Sequence, residues 1–259
     1  MSTATVDKTA QDRPVMVVGD RFEAFLAQPG TIGVSALLKS LHGEHGEHDE
    51  GPPRITVGQG LTGEQIAELN RLADEGRCVL AAQGRAPEPV GRAVTHKAHD
   101  KNVLIGDIEQ AGADRYRAAL VLDERVEVLE DHLTGLHIPA VTLLEAARQT
   151  WTAVTERFLI AAEPATRFVI AHVNSMFLNF VFPLPAHLEY RLVRHDEGPV
   201  GHVIGCTVEI HQAGRVAARF EAEIRVIPEV FAAKQEVMAA RQTLREATAL
   251  EPVAPAVGA

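Results

Sequence analysis

Short apolar runs rich in branched side chains alternate with helical spacings through the first third of the chain. VMVVG at 15–19, ITVG at 55–58 and CVLAA at 78–82 read as strands, because branched side chains suit a pleated surface better than a helix. Between and beside them the apolar spacing predicts helices over 21–28, 34–41 and 62–75. The last is the best marked. Thr62 stands as an N-cap with Gln65 three residues on, and Ile66, Leu69 and Leu72 or Ala73 supply one apolar face. Strand and helix in alternation predict a small α/β domain with a parallel sheet over 14–88, closed off by the Gly- and Pro-punctuated stretch GRAPEPVGR at 84–92.

The texture then changes. NVLIGDIEQ, a turn around Gly112 and RYRAALVLDE read as two strands in hairpin order. A long apolar helix is predicted over 139–162. After it come RFVIAHV, FLNFVFPLPAHLEYRLVRH, GHVIGCTVEIHQAG and RVAARFEAEIRVI, with Gln212-Ala213-Gly214 as a clear hairpin turn. The pattern over 93–228 is an antiparallel sheet with one helix inserted after its first strands, so the fold class is α+β. Residues 229–249 read as an amphipathic helix with Val230, Phe231, Val237 and Leu244 as its apolar positions. Residues 1–13 and 250–259 read as tails.

The central helix is apolar on nearly every side, which predicts that it lies buried within the sheet. Against that background Glu145, Arg148 and Gln149 share one face at i, i+3 and i+4. Burying a carboxylate without a partner is costly, so these residues call for a role. One is a mutual salt bridge that fixes how the helix docks; Gln149 and Trp151 also suit pocket lining or core.

Composition narrows the function. With 46% apolar and 23% charged residues the chain is an ordinary globular protein, neither disordered nor coiled coil as a whole. No apolar run approaches the roughly 18 residues that a bilayer span needs, and the first twenty residues lack a signal-peptide pattern; a cytoplasmic protein without a membrane partner is the expectation. A net charge of −10 opposes binding to a nucleic-acid backbone. Cys78 and Cys206 lie far apart without nearby metal-ligand spacing, which excludes a disulfide framework, and Cys206 reads as an inert strand residue. Two motifs favour structural explanations. Gly58-Gln59-Gly60-Leu61-Thr62-Gly63 fits the dinucleotide pattern, but the acidic residue expected about 20 positions on is missing. His42, His45 and His48 sit in a Gly- and acid-rich loop that reads as solvated rather than metal-binding.

DHLTGLHIPAVTLLEAARQT at 131–150 resembles the helix motif of the A-factor biosynthesis (AfsA-like) hotdog family, in which a His-x-Pro-Gly turn precedes LLEAARQ. THKAHDKNVLIGD at 95–107 and MFLNFVFPLP at 176–185 are similar to that family's flanking strands. More distantly, the motif resembles 3-hydroxyacyl-carrier-protein dehydratases. The resemblance covers about residues 95–227 and implies a hotdog fold, a curved antiparallel sheet around a central helix; family members often carry two such repeats, this sequence shows one copy of the motif, and a single hotdog domain that forms a homodimer is the expectation. Two departures stand out: the usual Gly is Ala140, and the strand around Met176–Asn179 is less basic than the family pattern.

Hotdog enzymes act mostly on acyl thioesters, so the resemblance implies an acyl carrier protein or CoA thioester as substrate, a small hydroxylated acceptor and no cofactor. Pro139 suits a first helical position, which would place free backbone N–H groups near Ala140 beside a thioester carbonyl. His132 and His137 lie in the preceding loop, and either histidine could act as a base near neutral pH. Asp131 favours His132 as the oriented one. Glu145 is the candidate partner acid or base, with Arg148 and Gln149 on the thioester side. Transfer of a 3-oxoacyl group to a hydroxyl leads; dehydration, hydrolysis and non-catalytic acyl or partner binding follow. Arg115, Arg117, Arg215 and Arg219 are candidates for a basic carrier-docking patch.

Overall fold

The computed structural model describes residues 14–43, 51–81, 86–131, 135–160 and 165–249. Strands β1 (Val15–Val18), β2 (Thr31–Gly33), β3 (Arg54–Val57) and β4 (Val79–Leu80) form a parallel sheet in the order β2-β1-β3-β4. Helix α1 (Glu23–Leu26) links β1 to β2. Helices α2 (Val34–His42) and α3 (Gly63–Asp74) contribute Leu37, Leu41, Ile66, Leu69 and Leu72 to a cluster with Val17 and Ile55 of the sheet. The capping box holds α3 as its sequence requires: the Gln65 N–H donates to Thr62 Oγ1 at 3.2 Å, and the Thr62 N–H donates to Gln65 Oε1 at 2.8 Å. The sequence pattern did not show β2, since three residues are too few to display alternation.

The second sheet is antiparallel and six-stranded. It comprises β5 (Ile105–Gly112), β6 (Arg115–Leu120), β7 (Thr166–Phe177), β8 (Ala186–Gly198), β9 (Gly201–Gln212) and β10 (Arg215–Pro228), in the order β5-β6-β8-β9-β10-β7. Between β6 and β7 run α4 (Glu127–Asp131) and α5 (Ala140–Val154), and α5 contacts all six strands. Ala146, Ala147 and Ala153 let it approach closely, and Trp151 fills the core with Leu188, Ile204, Val208, Phe220 and Ile224. Along β9, His202, Ile204, Cys206, Val208, Ile210 and Gln212 alternate inward, as a one-faced strand should. The β9–β10 hairpin turns on Ala213 and Gly214, both at positive φ, the conformation that matches strand twist. A sheet wrapping one long helix is the hotdog arrangement. Helix α6 (Glu229–Ala249) follows β10 over the predicted span.

Four features differ from expectation. Pro139 is the N-cap, extended at ψ 146°, so the helix starts at Ala140. It ends at Val154, where a π turn (Thr155–Leu159) takes over with the Ile160 N–H donating to Thr155 O. Nor is α5 enclosed on all sides: Val141 is half exposed, and Leu144, Glu145 and Arg148 are part-buried along the same flank. Residues 178–185, which resembled a strand, are an irregular connection. There the N–H groups of Leu178 and Asn179 both donate to Ala217 O, and Gln212 takes up the backbone of Phe182 and Leu184.

The two layers share a backbone seam at Gly58-Gln59-Gly60. Gln59 N–H donates to Pro183 O, Gly60 N–H to Leu122 O, and Gly19 N–H to Gln59 O. The buried Gln59 amide donates to Leu120 O and accepts from the Leu122 N–H, both at 2.9 Å. A Cβ on Gly58 would fall 2.3 Å from Pro183 O, and Gly60 sits at φ +94°. These glycines therefore allow close approach of protein backbone, and the N–H groups a nucleotide would use are occupied. Val18, Phe22 and Phe25 accordingly join the hotdog core. Replacing Gln59 by Ala should cost about 2–3 kcal/mol, because a buried donor and acceptor of the opposing backbone lose their partners; a lowered urea midpoint with unchanged slope is the expected readout.

Candidate functional site

The polar face of α5 is where the sequence concentrates its unexplained charges. From Glu145 the face runs through Arg148 and Gln149 to Thr152 and on to Glu156 in the π turn, at the i+3 and i+4 steps of one helical side. Glu145 is the hub. Its carboxylate accepts from Arg148 Nε at 2.8 Å, Arg148 Nη2 at 3.0 Å and Gln149 Nε2 at 3.0 Å, and it lies 2.5 Å from Lys97 Nζ. Burial alone would raise its pKa, but hydrogen bonds from Arg148 and Lys97 outweigh this and hold the carboxyl below its ordinary value. It is a carboxylate at neutral pH, suited to positioning its cations and unsuited to donating a proton.

The same network docks the segment before β5. Arg148 donates to Thr95 O, while the buried Gln149 amide accepts from the Leu104 N–H and donates to Asn102 O. Gln149 is thus consumed by backbone and does not line an open site. The turn that these bonds fix carries His96 in the left-handed region, φ 55°, which costs a non-glycine residue about 1 kcal/mol. Its ring faces Glu156, Nε2 to Oε1 at 2.6 Å, with Phe168 at its edge. Because a carboxylate only accepts, Nε2 is the donor in this contact, and Nδ1 is the ring nitrogen not engaged by Glu156. His96, Lys97 and Glu156 were missed as site residues. The signal was present, since His96 and Lys97 stand in the THK segment and Glu156 continues the Glu145–Thr152 spacing.

His137 lies elsewhere, beside the start of α5, with its ring 4.9 Å from that of Phe180. The backbone N–H groups of Ala140 and Val141 have no partner among the described residues. About 24 Å of helix, at 1.5 Å per residue, separates Ala140 from Glu156, so one protomer does not unite the two ends. His132, His45 and His48 fall outside the described residues, as does the side chain of Asp131. His42 pairs with Glu68 at 2.6 Å, and among the described residues no cluster of His, Cys, Asp or Glu is arranged to hold a metal ion. Burial pushes the Cys206 thiol up to about 12, in keeping with an inert residue. Among the candidate docking arginines, Arg117 is tied to Glu189 and Arg219 to Glu209. Beside them a cavity of about 490 Å³ lies between the layers, walled by Thr56, Val57, Leu80, Ala119, His187 and His211. Among the described residues no helix is long and apolar enough to cross a membrane.

The sequence pattern of one family, the A-factor biosynthesis hotdog domain, matches residues 80–228, more than half of the chain. No curated protein matches. Among solved structures, a conserved protein from Pseudomonas aeruginosa is 12% identical, over 53% of this chain and all of its own, with a TM-score of 0.39. A thioesterase from Haemophilus influenzae is 16% identical over 63% of this chain and 90% of its own, with a TM-score of 0.36. AziG from S. sahachiroi is 18% identical over 47% and 90%, with a TM-score of 0.35.

The hub makes a pH-dependent contribution. Glu145 has a folded pKa below its unfolded value of about 4.3. Its stabilisation is therefore complete above that value and is lost as pH falls through the folded one. Glu145→Gln should destabilise the protein by about 1–3 kcal/mol at pH 7, and the gap from wild type should narrow in urea titrations below pH 4.

Proposed function

The chain belongs to the A-factor biosynthesis hotdog family, and on that footing we propose that it transfers a 3-oxoacyl group from a carrier-protein or CoA thioester to a small hydroxylated acceptor. It acts without a cofactor and as a homodimer. Exposed apolar residues along and just after the edge strand β7 (Val169, Ile170, Phe177, Leu178 and Phe180) support the dimer. The observation that carries the chemistry is the His96–Glu156 pair beside the Lys97–Glu145–Arg148 network. His96 Nδ1 takes the proton of the acceptor hydroxyl as its oxygen bonds to the thioester carbonyl carbon. The C–S bond then breaks, and the departing thiolate receives the proton back from His96. Lys97 and Arg148, each about a quarter exposed, lie where negative charge on the carbonyl oxygen could be met.

Dehydration fits less well, because it asks Glu145 to protonate a leaving hydroxyl and that carboxyl is held ionised. A second reading of the transfer places the base at His137, supported by the N–H groups of Ala140 and Val141 nearby, which have no partner among the described residues. His132, the other loop histidine, belongs to this reading through its sequence position alone.

Intact-mass analysis of 3-oxoacyl and 3-hydroxyacyl carrier-protein and CoA thioesters, with and without polyol acceptors, tests the proposal. Acyl loss only in the presence of an acceptor is expected, with His96→Ala lowering kcat by about 10²–10⁴ and His137→Ala doing so only if the second reading holds. Loss of water from a 3-hydroxyacyl thioester, or acyl loss without an acceptor, would replace transfer by dehydration or hydrolysis. Wild-type turnover in a variant lacking His96, His132 and His137 would overturn histidine catalysis. Saturable thioester binding without product would make the protein an acyl binder.

A further inference from the structure

Helix α6 wears its apolar side outward. Its first turn is anchored to the hotdog sheet: the Glu229 N–H donates to Ala165 O, Ala232 is buried, and Arg167 of β7 pairs with both Glu229 and Glu236. At about 3.6 residues per turn, Val230, Lys234, Val237, Arg241 and Leu244 follow one another along the side turned away from those contacts, flanked by Phe231, Met238 and Arg245. The five apolar residues of this stripe are each half exposed or more, up to 79% for Val230. Lys234, Arg241 and Arg245 have no ion-pair partner among the described residues, although acids are plentiful on the chain. The charges are sorted: Glu229 and Glu236 lie toward the sheet, and the three cations lie among the apolar side chains.

We infer that this face is a docking surface for an acidic protein domain, namely the carrier that delivers the acyl thioester. The inference rests on the acyl-transfer reading above. Charge complementarity selects this occupant. A second copy docked face to face would set cations against cations. An anionic lipid surface is extended, so it would meet the body of net charge −10 together with the helix tied to it, whereas a small acidic domain covers the helix face alone. An acidic, apolar-faced partner meets both the exposed apolar side chains and the cations Lys234, Arg241 and Arg245. Of the sheet-face arginines, Arg117 and Arg219 are already committed to Glu189 and Glu209.

The test uses the full chain and a fluorescently labelled fatty-acid-type acyl carrier protein bearing a 3-oxoacyl group. A Lys234→Glu, Arg241→Glu, Arg245→Glu variant should bind the carrier about ten- to a hundredfold more weakly by fluorescence polarisation. Wild-type affinity should fall with added salt. Val237→Ser with Leu244→Ser should weaken binding without altering the far-ultraviolet circular dichroism. Turnover of the same acyl group on CoA should be unchanged in both variants. Carrier binding that survives charge reversal, or no saturable carrier binding by the wild type, overturns the proposal. So does α6-dependent sedimentation with phosphatidylglycerol vesicles, or α6-dependent self-association, in place of carrier binding. If carrier binds in an α6-dependent way but no thioester is turned over, the docking surface stands and the transferase reading fails.

Discussion

Irregular backbone brought inside a protein must find hydrogen-bond partners, and three buried glutamines supply them here. Gln59 satisfies the segment around Leu120–Leu122, Gln149 the segment 102–104, and Gln212 the connection at Phe182–Leu184. Each primary amide offers a donor and an acceptor in one plane, so it substitutes for a missing strand at places where the chain changes direction. Without them the entry into β5, the exit from β6 and the approach to β8 would each leave buried N–H or C=O groups unpaired. The regular elements are held by their own ladders; the way they are joined depends on these side chains.

The candidate site inherits its geometry from one of those glutamines. Gln149 fixes residues 102–104, and its neighbours Glu145 and Arg148 fix Thr95 and Lys97, so the segment before β5 is bound at both ends to one helical face. His96 is held in a left-handed conformation between these anchor points. An interaction that looks purely structural, a carboxylate shared by two cations and an amide, therefore sets the direction of a histidine paired with a second carboxylate. The charges on this face tolerate partial burial because each has a partner of opposite charge or a hydrogen-bond partner.

Much of this was legible in the sequence because the deciding interactions are local. The capping box at Thr62–Gln65, the two-residue turn at Ala213-Gly214 and the start of α6 depend on residues a few positions apart. The central helix announced itself by its apolar pattern and by the LLEAARQ resemblance. What escaped detection depends on contacts between distant residues or on very short stretches. Strand β2 is three residues borrowed into a sheet by β1. The π turn at Thr155–Leu159 is itself only five residues long. His96 and Glu156 stand 60 residues apart and meet only because the polar face of α5 draws the segment before β5 against it. The loop histidines attracted notice through their neighbouring Pro, whereas His96 stood in plain view within a segment read as strand.

The seam at Gly58-Gln59-Gly60 gives the chain a shared inheritance. Protein backbone from the α/β layer lies against Pro183 and Leu122 of the hotdog too closely for any side chain larger than hydrogen at Gly58. Grafting this hotdog without its first eighty residues would strip Phe22 and Phe25 from its core and leave Leu120, Leu122 and Pro183 with unanswered backbone groups. The α/β layer is thus part of what makes this hotdog a folded object, and substitutions in either layer are filtered by the fit of both.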